Sequence, residues 1–386
     1  FTTVSGSAVV TVTDANGGYQ DGDYVTFSNA SAVGGLTIDG EFVVSLSVTT
    51  AANSYNITAS SNATSSATGG GTVSAAYQIN VGNPFAVPIE GWGASSWGSG
   101  AWNVGESSTT AIRFFSQSNF GEDLIFGNNG GSIFYWDATG SVTTRAVLLS
   151  TLSGASDVPV VQNLILVSDI SRFVFCFGTN EIGSDTIDPT LLRWSDQEDA
   201  TNWTPSATNQ AGSLRLSRGT KIVAASQARQ EVLVWTDSSL YSLQYVGAPA
   251  VWAATLVGEN ISISSQNAVA YANGVAYWMG KDKFYMYDGR TQPLKCDVRK
   301  YIFNDFNTAQ YSQVFSGTNE SFHEVWWFYC SDGETNIDKY VIYNYLDKIW
   351  YYGTLARTAW LDSGLRDSPL AATYTLNLVD HESGVD

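Results

Sequence analysis

The stretch Val275-Ala-Tyr-Trp-Met-Gly-Lys-Asp-Lys-Phe-Tyr-Met-Tyr-Asp288 decides how the rest of the chain reads. It is an apolar-aromatic run, a turn, and a second aromatic run that closes on an acid. Val, Tyr, Trp and Phe favour pleated, extended backbone. Gly and Asp between two such runs mark a hairpin. The pattern recurs as Leu124-Ile-Phe-Gly127 with Ile133-Phe-Tyr-Trp-Asp137, and as Phe173-Val-Phe-Cys-Phe177 with Leu191-Leu-Arg-Trp-Ser-Asp196. It appears again as Val232-Leu-Val-Trp-Thr-Asp237 with Leu240-Tyr-Ser-Leu243, and as Val325-Trp-Trp-Phe-Tyr329 with Tyr340-Val-Ile-Tyr-Asn344. The closing residues stand 59, 41, 51 and 56 residues apart. Four-stranded propeller blades need roughly 40–50 residues each, so the spacing predicts an all-β fold, a β-propeller of four-stranded blades over residues 109–386. Radial repetition also protects strand edges that so much sheet would otherwise expose. Helical signals are almost absent.

Upstream, the character changes. Residues 1–83 alternate apolar and polar over 8–13, 24–27, 42–49, 54–58 and 72–79, separated by turns such as Asn16-Gly17-Gly18 and Gly69-Gly70-Gly71. They predict a small Thr/Ser/Gly-rich β-sandwich or barrel. Residues 84–108 form a Gly/Trp-rich connection in which Trp92, Trp97 and Trp102 recur every five residues. That period matches neither strand nor helix. Exposed Trp clusters mark contact sites, so these three form a candidate partner-contact loop, with packing on the chain's own sheet as the alternative.

Composition narrows the function. The chain has 386 residues with 18 bases against 36 acids, a net charge of −18. No base precedes Arg113, whereas seven acids do: Asp14, Asp21, Asp23, Asp39, Glu41, Glu90 and Glu106. Gripping nucleic acid requires cations for the phosphates, and an anionic membrane repels such a chain. The longest apolar stretch, 158–167, is interrupted by Gln162 and is too short to span a bilayer. The chain begins mid-strand without an initiator Met and reads as a fragment of a longer protein. Cys176, Cys296 and Cys330 are odd in number and far apart, with no CxxC. They read as single buried thiols, which fits assembly in a reducing compartment.

Chemistry-bearing motifs are scarce. His323 and His381 are the only histidines, and neither has a neighbour at metal-ligand spacing. No GxSxG, HExxH or GxxxxGK[ST] motif occurs. No catalytic, cofactor-binding or metal-ligating set is assigned, and the chain reads as a non-enzyme. Glu122 and the Glu198-Asp199 pair are the acids a glycosidase reading would use, although strand neighbours point to opposite faces. Asp14, Asn16, Asp21 and Asp23 could crowd oxygens around Ca²⁺, but they lack the spacing of an EF-hand and also suit turns.

Several stretches carry a resemblance. They are Arg193-Trp-Ser-Asp-Gln-Glu-Asp-Ala-Thr-Asn-Trp203, Ser217-Arg-Gly-Thr-Lys-Ile-Val-Ala224, Leu233-Val-Trp-Thr-Asp-Ser-Ser-Leu-Tyr241 and Tyr245-Val-Gly-Ala-Pro249. To these add the 276–289 run, Glu324-Val-Trp-Trp-Phe-Tyr329 and Trp350-Tyr-Tyr-Gly-Thr-Leu-Ala-Arg-Thr-Ala-Trp360. In this order they resemble tail nozzle (tail hub, packaged-DNA stabilisation) proteins of short-tailed, podovirus-like bacteriophages. The resemblance implies a structural virion protein of the tail, assembled in the host cytoplasm as a homo-hexameric ring below the portal and adaptor proteins. Its partners would be those proteins and the tail fibres or spikes. Genomic DNA would pass through the lumen without specific binding, and no membrane anchoring is implied. A receptor-binding or fibre-associated module is the alternative, with a carbohydrate-active propeller enzyme behind it.

Overall fold

The computed structural model describes residues 1–14, 19–46, 53–86, 90–91, 106–107, 112–169 and 171–383. The N-terminal unit is a sandwich of two antiparallel sheets. One runs in the order Ser54–Thr58, Val9–Thr13, Thr2–Thr3, Ala67–Thr68; the other runs Gly40–Val43, Tyr24–Ser28, Ser74–Gln78. Alternation places Val10 and Val12 opposite Ile57 and Tyr55, facing Val25 and Phe27 of the second sheet, and these side chains are buried. The expected 42–49 strand is shorter than its pattern. It ends at Val43; fully buried Val44 still pairs through its N–H with the Asp23 carbonyl at 2.7 Å, and Ser45 then bridges Asn56 of the other sheet. Residues 47–49 lie outside the described part. The two-residue strands at 2–3 and 67–68 carry too short a pattern to be read.

The propeller begins at Phe115. Its first blade is Phe115–Phe120, Asp123–Asn128, Phe134–Trp136 and Val147–Leu148; the second is Gln162–Val167, Val174–Asn180, Ile187–Trp194 and Gly212–Arg215. Blade 3 comprises Ile222–Gln227, Val232–Thr236, Ser239–Gly247 and Val251–Glu259. Blade 4 comprises Val269–Ala272, Val275–Met279, Phe284–Tyr287 and Thr291–Leu294, and blade 5 Phe315–Asn319, Glu324–Tyr329, Lys339–Asn344 and Ile349–Thr354. A sixth sheet has three strands, Ala359–Leu361, Leu370–Ala372 and Leu378–Asp380. Each first strand packs against the first strand of the next sheet. The five hairpins quoted from the sequence contribute the second and third strands of the five blades.

Aromatic rings fill the wedges from blade 2 onward, whereas aliphatic side chains such as Ile125, Ile165 and Val174 fill the wedge between blades 1 and 2. Phe175 meets Trp252 at 4.9 Å between blades 2 and 3, and Trp235 meets Trp278 at 5.3 Å between blades 3 and 4. Phe284 meets Trp327 at 4.9 Å between blades 4 and 5, and Trp326 stacks on Trp360 at 5.1 Å between blade 5 and the sixth sheet. Two of these indoles also hydrogen-bond across the boundary: Trp327 Nε1 donates to the Ala268 carbonyl at 2.9 Å, and Trp360 Nε1 to that of Thr318 at 2.8 Å. Tryptophan suits these places because it buries a large ring and can use its one donor across a boundary, although the indole N–H groups of Trp235 and Trp252 are buried without a partner.

Helix is rare but present. Arg299–Asn304 is a short α-helix and Thr308–Gln313 a 3₁₀ segment, both in the link from blade 4 to blade 5. Fully buried Ile302 holds the helix to the core, a contact that six residues of sequence do not announce. Cys176 and Cys330 are buried and Cys296 half-buried, all as free thiols. Burial pushes Cys296 and Cys330 up to about 12. Among the described residues no helix is long and apolar enough to cross a membrane.

Candidate functional site at the base of the tryptophan segment

Glu90 and Gly91 pair antiparallel with Ser107 and Glu106, forming a two-stranded neck. Trp92, Trp97 and Trp102 lie beyond that neck, outside the described residues. The chain leading into the neck is pinned by a side chain. The Ala86 N–H donates to Gln310 Oε1 at 2.9 Å, and Gln310 Nε2 donates back to the Ala86 carbonyl at 3.0 Å. One carboxamide thus makes the two bonds that a strand neighbour would make. Gln310 is buried in the 3₁₀ segment ahead of blade 5. Gln313 Nε2 donates to Gln310 Oε1 at 2.5 Å and to the Thr335 carbonyl at 2.8 Å, so the amide orientation is locked.

The chain leaving the neck is pinned by a charge. Gly82 bridges Ile112, and the next residue, Arg113, turns back into the sandwich. Its Nη1 meets Asp23 Oδ1 at 2.5 Å, with side chains only 13% and 3% exposed. Arg113 also donates to the Asn80 carbonyl at 3.1 Å and to the Asp21 carbonyl at 2.8 Å. Asp23 accepts from the backbone N–H of Gln20 at 2.8 Å and of Asn80 at 2.9 Å. A buried ion pair is tolerable only when its remaining donors and acceptors are used in this way. Around it, Asn128 Nδ2 donates to Gln20 Oε1 at 2.8 Å, Gln20 Nε2 donates to the Gly130 carbonyl, and Arg145 donates to the Tyr77 carbonyl at 3.0 Å. Polar bonds from two segments of the sandwich, residues 20–23 and 77–82, therefore dock it on blade 1 and the chain just ahead of it.

The other candidates are placed apart. Asp14 accepts from the Tyr77 hydroxyl at 2.8 Å and Asp21 from the Leu46 N–H at 2.7 Å, while Asp23 is held by Arg113; Asn16 lies outside the described residues. These carboxylates stitch the sandwich and its docking face. Among the described residues no group of three His, Cys, Asp or Glu side chains is arranged to hold a metal. Glu122 is exposed on the first turn of blade 1, whereas Glu198 and Asp199 sit in the loop after the third strand of blade 2. Asp199 there accepts from the Thr201 N–H at 2.8 Å and hydroxyl at 2.7 Å, shaping a turn that buries Trp203. His323 adopts a left-handed φ of 60° at a turn. His381 lies 4.5 Å from the Trp360 ring and accepts from Arg357 Nε at 3.0 Å; burial first, then the Arg357 charge, lowers its pKa.

Sequence reading missed Gln310, Gln20 and Asn128. Arg113 had a visible signal, being the first base after 112 residues without one.

No protein-family model matches the chain, and no curated protein matches it. Solved structures share its general architecture. Kluyveromyces lactis Hsv2p matches with a TM-score of 0.39 at 12% identity, over 71% of this chain and 75% of that one. YCF48 bound to D1 peptide matches with 0.39 at 8% identity, over 96% and 93%. The Synechocystis apocarotenoid oxygenase matches with 0.39 at 7% identity, over 96% and 88%. The likeness is one of β-propeller fold alone.

Proposed function

We propose that the chain is a structural subunit of a short-tailed phage's tail nozzle. In this reading six copies form a ring that serves as the distal DNA conduit, retains packaged DNA, and lets it through on ejection. The ordered series of motifs resembling that family supports it. Charge supports it as well: six copies at −18 carry −108, and an acidic surface keeps a duplex from sticking. The observation that carries the reading is the doubly anchored neck. The two flanks of the Trp-rich segment are tied by polar bonds, one to the 3₁₀ segment ahead of blade 5 and the other to the sandwich. A ring subunit needs this to pass position to its neighbour, and Trp is the residue most suited to anchoring such a contact.

Class averaging of the native assembly by electron microscopy tests the proposal. A six-fold ring with an axial channel is expected. Joint replacement of Trp92, Trp97 and Trp102 by Ala should leave the monomer's melting temperature unchanged and abolish the ring. A three-fold or monomeric native particle overturns the reading.

A further inference from the structure

A cleft of about 520 Å³ opens between blades 4 and 5, within the ~300–1,000 Å³ usual for small-molecule sites. Its walls include Tyr277, Tyr343, Tyr345 and Trp350, and its rim Gln292, Lys295 and Lys348. Tyr277 and Tyr345 stack at 16°, and Tyr343 lies 4.7 Å from Trp350. Tyr277 and Tyr343 are each 6% exposed, and neither hydroxyl has a hydrogen-bond partner among the described residues. Both of these residues line the cleft, which leaves their hydroxyl groups available to a ligand there. The Trp350 indole N–H is already used on the Lys295 carbonyl at 2.9 Å, and its ring packs on Phe284 and Tyr343, each at 4.7 Å, so that only part of it faces the cleft. The rim carries two lysines and one acid, Asp297, a local excess of base in an acidic chain. Six of the 18 bases fall within residues 281–300. Lys295 contacts Asp297 at 3.6 Å with both side chains exposed, while Lys348 has no acidic partner among the described residues.

We propose that this cleft binds a sugar ring bearing a carboxylate, such as a uronic or sialic acid at the end of an oligosaccharide. The apolar face of the ring lies against the aromatic wall, its hydroxyls meet Tyr277, Tyr343 and Gln292, and its carboxylate meets Lys348. A nucleic-acid strand fits less well, because the net charge of −18 opposes a run of phosphates while two lysines can offset only a small part of it. The inference is independent of the ring reading, since it concerns a single copy of the chain.

Isothermal titration and saturation-transfer NMR on the full chain, with sialyllactose, trigalacturonate, lactose and a short oligothymidylate, test it. Binding of at least one acidic saccharide in preference to lactose is expected. Tyr343→Phe keeps the ring and removes only the hydroxyl, and Lys348→Ala lies on the exposed rim, so both should melt as the parent does. Each should weaken acidic-saccharide binding about tenfold or more. The proposal is overturned by any of three results: neither acidic saccharide bound at millimolar concentration, equal binding of lactose, or binding indifferent to both variants. Binding of oligothymidylate alone would overturn it too.

Discussion

The sandwich and the propeller bury their interiors with different material. Between the two sheets of the sandwich lie aliphatic side chains such as Val10, Val25, Ile38 and Ile57 with the smaller rings of Phe27 and Tyr55, and residues 1–83 contain no Trp; Tyr55 joins Tyr77 through a 2.8 Å hydroxyl contact. Between the propeller blades from the second onward lie Trp, Phe and Tyr rings, while Ile125, Ile165 and Val174 hold blade 1 to blade 2. A sandwich has two nearly parallel faces that interdigitate, and small branched residues fill that space. Blades diverge radially, and large flat rings fill a wedge. The electrostatics differ as well. The sandwich supplies no base of its own, so its buried Asp23 takes a cation from Arg113 at the head of the propeller. The comparison teaches that the sandwich is complete in packing but not in charge, whereas each blade depends on its neighbours for packing.

Arg113→Ala should show the largest effect. It leaves Asp23 buried without its cation, a change that costs about 3–5 kcal/mol. Chemical unfolding followed by Tyr and Trp signals should then resolve an early transition confined to the sandwich. Loss of both domains together in one weakened transition would break the comparison. Pairing the change with Asp23→Asn should recover part of the loss. Gly317→Ala acts on the other side. An added Cβ would stand 2.2 Å from Trp360 Cδ1, and such overpacking costs about 1–3 kcal/mol. Hydrogen exchange should rise in blade 5 and the sixth sheet and stay unchanged in the sandwich.

The smallest effect concerns pH. His381 has a folded pKa below its ordinary 6.5, so the unfolded chain takes up its proton first as pH falls. The stability that the neutral ring contributes is present above about 6.5 and is lost on acidification through the folded value. His381→Gln should flatten this part of the melting profile between neutral pH and pH 5. A parent profile already flat there would separate the sixth sheet from the wedge logic of the other blades.

Much of the fold was legible, and unevenly so. The hairpins that stood out are the middle strands of the blades. Val174–Asn180 and Val232–Thr236 are buried on both faces along their whole length, and so they read as continuous apolar runs. First and fourth strands have an open face or edge. Phe115–Phe120 (Phe-Ser-Gln-Ser-Asn-Phe), Gly212–Arg215 (Gly-Ser-Leu-Arg) and Thr291–Leu294 (Thr-Gln-Pro-Leu) consequently resemble loops. The short helix at Arg299–Asn304 depends on one buried Ile and left no periodic signal. At the candidate site, the tryptophans were visible by composition and the anchors were not, because Gln310 reaches Ala86 across 224 residues of sequence.

The sequence by itself determined the middle strands of the blades, the turns and the repeat, because alternation, ring-rich runs and Gly/Asp turns are local properties of the chain. Only the tertiary structure decided which cation neutralises Asp23, which amide pins Ala86, and which tyrosines share the cleft between blades 4 and 5. Those choices join residues far apart in the chain. They are set by how the blades and the sandwich pack, since a buried charge or hydroxyl takes whatever partner that packing brings within hydrogen-bonding reach.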